Sequence, residues 1–164
     1  MDLQERGFNM IKMNWIITDD LSRISIKEFE NEWNGIISGY FELNINQSKE
    51  GFCPQRDLQK GEEGNEDVLF WLSHLKEAIS NLKEGKDYEM ILLTMNRYKI
   101  YMKYDDSVNF YFINRNSNIV KWHEKISMQE FEIELSKNIN AFYQVLKENN
   151  IELLESKWIM RLRE

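Results

Sequence analysis

The chain has 164 residues, with 21 Lys+Arg against 28 Asp+Glu, a formal net charge of −7 and 13% aromatic residues. That length suits one domain with a real core, and the aromatic load excludes the aromatic-poor signature of disorder. The acidic balance argues against a general phosphate-backbone binder. A single cysteine, Cys53, excludes an intrachain disulfide framework and a Cys-rich zinc site.

Residues 1–164 read as a single domain, with residues 1–12 a candidate for disorder. No stretch approaches the roughly 18–20 apolar residues of a membrane span. The start, Met1-Asp2-Leu3-Gln4-Glu5-Arg6, lacks the charged and apolar regions of a signal peptide. The expectation is a cytoplasmic protein in a reducing compartment.

In chain order, Met13 to Ile17 is a weak strand signal. Ser25-Ile26-Lys27-Glu28 has capping-box spacing and predicts a short helix from Ile26 to Trp33, stopped by the Asn34-Gly35 turn. Phe41, Leu43 and Ile45 alternate with Tyr40, Glu42 and Asn44, which predicts a strand over Gly39–Asn46. Gln47 to Asn65, with Gly51, Pro54, Gly61 and Gly64, reads as one long loop (47–65). Asn65 is then the expected N-cap of an amphipathic helix whose stripe is Val68, Leu72, Leu75, Ile79 and Leu82, with Gly85 at the C′ position.

Glu89 to Met95 is apolar on both faces and predicts a central strand. Tyr98–Tyr104 and Ser107–Ile113 follow through short turns, and Ile119–His123 is a candidate last strand, so the segment is an antiparallel meander. Ser127-Met128-Gln129-Glu130 opens a second long helix with the stripe Phe131, Leu135, Ile139, Phe142 and Leu146. Ile151, Leu154, Trp158 and Leu162 keep helical spacing and predict a terminal helix. The fold class is α+β: an antiparallel sheet, made of a meander of three or four strands plus an earlier strand, packed on one face by two long helices.

Candidate chemistry is sparse. His74 has no histidine at i±3 or i±4, only Glu77 at i+3, and reads as a structural or surface residue, as does His123. Cys53 stands in Gly51-Phe52-Cys53-Pro54, and the carboxylates near it would raise a thiol's pKa, so it reads as incidental. Gly61-Glu62-Glu63-Gly64 is no phosphate cradle, because two glutamates would repel phosphate and no Lys-Ser/Thr follows. No metal-ligand spacing and no cofactor motif is found, and no catalytic residues are assigned. Tyr40, Tyr101 and Tyr111 fall on a wetter sheet face with Lys99 and Lys103. Without an RNP-like pattern, that face reads as a half-exposed sheet or a protein interface rather than a nucleic-acid platform. Glu62, Glu63, Glu66 and Asp67 crowd one loop and helix start. They read either as a solvated face or as a negative surface that steers a basic partner.

The segment Glu32-Trp33-Asn34-Gly35-Ile36-Ile37-Ser38-Gly39-Tyr40-Phe41-Glu42-Leu43-Asn44-Ile45-Asn46 joins a variable loop, then Leu69-Phe70-Trp71-Leu72-Ser73-His74-Leu75-Lys76-Glu77-Ala78, then the meander. Over residues 30–113 this pattern resembles the small bacterial immunity proteins encoded beside polymorphic or contact-dependent toxins. The resemblance rests on core aromatics and turn glycines, and it carries over no catalytic residues. It implies a cytoplasmic, non-enzymatic protein that binds a cognate toxin C-terminal domain, often a basic nuclease, and covers its active site. On that reading the partner-binding residues are Glu62, Glu63, Glu66 and Asp67, then Tyr40 and Glu42. Neither membrane nor direct nucleic-acid contact is expected. The alternative is a small-ligand or regulatory α+β module with a pocket between sheet and helices.

Overall fold

Residues 10–163 are described by a computed structural model. The chain is α+β, with antiparallel strands in two four-stranded sheets. The first sheet holds β1 (Ile11–Ile17), β2 (Ser38–Ile45), β3 (Ser48–Phe52) and β4 (Glu66–Asp67). In it β2 is the hub, with β1 along one edge and β3 and β4 both paired to it. The second sheet is the expected meander of β5 (Tyr88–Ile91), β6 (Tyr98–Tyr104), β7 (Val108–Asn114) and β8 (Val120–Ile126). The earlier strand therefore stands in a sheet of its own rather than beside the meander. Asn46 and Ser48 tie the two sheets, each donating to the Glu124 carboxylate.

The helices are α1 (Ile26–Asn31), α2 (Val68–Lys83), α3 (Met128–Asn150) and a short α4 (Lys157–Met160). Apolar stripes of α2 and α3 enter one hydrophobic cluster with Phe41 and Leu43 of the first sheet and Ile100, Phe110 and Phe112 of the second. Phe41 stacks on Trp71 at 4.7 Å, and Phe110 meets Phe131 edge-on at 5.2 Å, worth about 0.5–1.5 kcal/mol each beyond burial. The Schellman closure of α2 is complete: Gly85 N–H bonds Leu82 O at 3.1 Å and Lys86 N–H bonds Asn81 O at 2.9 Å. Ser127 caps α3 by accepting from Glu130 N–H at 3.1 Å.

Several expectations need correction. Of residues 1–12, the candidate disordered start, residues 1–9 lie outside the described residues, whereas Ile11 and Lys12 already belong to β1. Residues 47–65 are not one loop: Ser48–Phe52 pairs with β2 through a tight turn at Asn46-Gln47, and only residues 53–65 are the excursion. Helix α2 is capped by Asp67, not Asn65, because Glu66 and Asp67 first pair with Gly39 and Ser38. The segment at 89–95 is an edge strand ending at Ile91, so its second apolar row is exposed, with Leu93 56% accessible. The terminal helix breaks at buried Ser156. A 3₁₀ turn over Ile151–Glu155 ends there, and the Ser156 hydroxyl accepts from Trp158 N–H to start α4.

The free edge of β1 is closed by side chains rather than by a strand. Glu134 of α3, a buried carboxylate, accepts Met13 N–H at 2.8 Å and Asn138 Nδ2 at 3.0 Å. Asn138 in turn accepts the Trp15 indole N–H at 3.0 Å. Buried carboxylates survive where their lone pairs are filled, as here.

Candidate functional site

The six residues singled out in the sequence do not form one uniform acidic surface. Glu42 is 6% exposed on β2. Burial pushes its carboxyl up, but donors from Asn44, Asn14 and the Cys53 N–H outweigh that and hold it below the usual range. Asp67 faces inward and accepts Ile37 N–H and Phe70 N–H, each at 3.2 Å. Burial, reinforced by the neighbouring Asp19, raises its carboxyl to about 6. Glu66 accepts the Trp71 indole N–H at 2.9 Å and the Thr94 hydroxyl. Of the six, Glu63 is the exposed one.

Three of the six, Tyr40, Glu62 and Glu63, do meet at a seam beside β3. The Tyr40 hydroxyl donates to Glu62 Oε2 at 2.9 Å and to the Glu63 carbonyl at 3.3 Å. Arg56 reaches Glu62 Oε1 at 2.8 Å, so that carboxyl is held below its ordinary value first by Arg56 and then by Tyr40. Glu66 is linked through Thr94 to the β5–β6 connection, where Leu93 and Met95 are exposed. Half-buried Glu50 on β3 has its carboxyl raised by burial, with Glu66 adding to the shift. In this setting Phe52, at the end of β3, is 56% exposed and meets Tyr40 edge-on at 6.0 Å.

Sequence reasoning missed Phe52, Arg56 and Thr94. The signal for Phe52 was an aromatic residue in a segment otherwise read as polar loop. Nothing local announces the partners of Arg56 and Thr94, which are set by the return of residues 53–65 to β2.

That return is tight. A Cβ on Gly64 would lie 2.0 Å from the Gly39 carbonyl oxygen, and Gly64 N–H bonds the Thr18 hydroxyl at 3.0 Å. Only glycine allows this approach, and it fixes Glu62, Glu63 and Glu66 beside β2.

The other candidate side chains have internal roles. Cys53 is buried, and burial followed by the nearby Glu42 raises its thiol. His123 stacks on Tyr111 at 4.1 Å and bonds Asn109 Oδ1 at 3.0 Å. Its row across the second sheet, Glu89–Tyr101–Tyr111–His123, lies on the face turned away from the helices. Among the described residues no group of three or more His, Cys, Asp or Glu is placed to hold a metal ion. No helix among them is long and apolar enough to cross a membrane.

Comparison with protein-family models, with curated proteins and with solved structures found no match.

Proposed function

We propose that this chain is a non-catalytic binding protein of the immunity type, which covers the active site of a cognate bacterial toxin domain through the seam around Phe52. The observation that carries the reading is an exposed aromatic anchor, Phe52, braced by Tyr40, whose hydroxyl is bonded to Glu62 and Glu63. Interfaces draw energy from a few aromatic anchors, while rim charges set the rate and the choice of partner. A net charge of −7 favours a basic partner at long range. The resemblance to immunity proteins, carried by the Glu32–Asn46 and Leu69–Ala78 patterns, supplies the kind of partner.

Charge at the seam is smaller than its acidic residues suggest. Arg56 neutralises Glu62, and half-buried Asp67 accepts backbone N–H groups, so exposed Glu63 carries the local field. The reading therefore places affinity on Phe52 and Tyr40 and association rate on Glu63.

The experiment is co-expression with the secreted-toxin domain encoded beside the gene, scored by cell survival and by calorimetry of the purified pair. Phe52→Ala should weaken binding by about tenfold or more with an unchanged melting temperature. Glu63→Lys should slow association at low salt and matter less at high salt. A neighbouring gene that encodes no toxin domain, or Phe52→Ala binding as well as the wild type, would sink the proposal.

A further inference from the structure

A groove of about 440 Å³ runs along the outer side of α2, between the Asn34–Gly35 turn and α4. It is built from elements that carry neither Phe52 nor Tyr40. One wall is the Trp158 indole, laid so close to Gly35 that a Cβ there would come within 2.5 Å of the ring. Phe70 lines the groove as well and packs on the His74 imidazole at 4.2 Å.

The carboxylates of the groove each accept from protein donors. Asp67 accepts backbone N–H groups, and Glu77 Oε2 accepts the Tyr88 hydroxyl at 3.2 Å. One of the groove's cations, Arg161, is offered to the ligand space. The Arg161 guanidinium lies 4.9 Å over the Trp158 ring and makes no hydrogen bond or ion pair with the described residues. Lys76 donates to the Leu162 carbonyl at the same wall. The groove thus pairs two carboxylates held by protein donors with an open guanidinium.

His74 adds a directed acceptor. A carboxylate only accepts, so the single Tyr88 hydroxyl proton goes to Glu77. With that proton directed at Glu77, the Tyr88 oxygen accepts from His74 Nδ1–H, the tautomer assigned here. Burial, working against Glu77, lowers the imidazole's affinity for a second proton. In that tautomer His74 Nε2 is an acceptor, and it has no hydrogen-bond partner among the described residues and is not sealed from solvent.

We infer that this groove is a binding site for a small organic anion with an apolar, preferably aromatic, body and one hydroxyl or amino donor. The anionic oxygens pair with Arg161, the ring lies against Phe70 and Trp158, and the donor bonds His74 Nε2. The volume lies within the roughly 300–1,000 Å³ of ordinary ligand sites.

The test uses the whole protein and three probes: 3-phenyllactate, 3-phenylpropionate, which lacks the hydroxyl, and inorganic phosphate. Calorimetry and the side-chain nitrogen resonances of His74 and Arg161 are followed at constant ionic strength. Phenyllactate should bind saturably and shift His74 Nε2. Phenylpropionate should bind about tenfold more weakly, as expected for one lost hydrogen bond to a fixed partner. Arg161→Gln, at an exposed position, should keep the wild-type melting temperature and lose phenyllactate binding. The inference fails if phenyllactate does not saturate by about 10 mM, past the millimolar range of weak sites. It fails equally if Arg161→Gln binds unchanged, or if phosphate competes as well as phenyllactate and so marks a simple ion site.

Discussion

Replacing Asp67 by Asn should stabilise the protein above neutrality and do little in acid. Asp67 is half-buried, and its carboxyl is raised from 3.8 to about 6. A carboxyl raised on folding contributes stability that is fully present below its unfolded value, near 3.8, and lost as pH climbs through about 6. Two pH units correspond to about 3 kcal/mol at most, and partial exposure screens this to on the order of 1–3 kcal/mol. Asn keeps the oxygen that accepts Ile37 and Phe70 N–H, and it caps a helix as well as Asp does. Urea unfolding of both proteins at pH 4, 6 and 8 reads the effect, together with the relief of neighbouring Asp19 from the Asp67 charge. The gap should be near zero at pH 4 and open in favour of the variant by pH 8. A pH-independent gap, or a less stable variant at pH 8, would refute the assignment.

Glu134→Ala leaves Met13 N–H without its acceptor and Asn138 Nδ2 with the residue-134 backbone carbonyl alone, and should cost on the order of 1–3 kcal/mol in urea unfolding. Glu134→Gln keeps one acceptor oxygen and should cost less, with faster amide exchange at Met13 reporting the loss in Ala alone. Gly64→Ala must push β2 and the loop end apart and should cost about 1–3 kcal/mol, the range for overpacking. Its signature is exchange at the Gly64 and Val68 amides, with the β6–β7 amides still protected.

Elements with a strong internal period were readable without a fold. The stripes of α2 and α3 and the alternation of β6 and β7 lie within ten to twenty neighbouring residues, so local spacing identifies them. Ser48–Phe52 was invisible because it has no apolar alternation and turns through Asn46-Gln47 without a glycine. The edge position of β5 was misread because its apolar outer row imitates a buried strand, whereas Ile91 and Leu93 are exposed. At the site, the acidic residues could be named from sequence but their use could not. Glu66 spends its oxygens on Trp71 and Thr94, and Glu42 spends its own on Asn14, Asn44 and Cys53. Four of those five partners lie beyond the reach of a helical or strand period.

Residues 53–65 leave β2 opposite Phe41 and rejoin it opposite Gly39, two positions along the same strand. Their ends are therefore held about 7 Å apart by the sheet itself. Closing such a loop costs only about 0.6 kcal/mol more for each doubling of its length. Gly64 anchors the return, while Glu62 and Glu63 ride on the segment it anchors. Between the buried Cys53–Pro54 pair and Gly64, residues 55–63 are in effect an exchangeable insert, whose length and charge set the complementarity around Phe52 while their two anchors stay on β2.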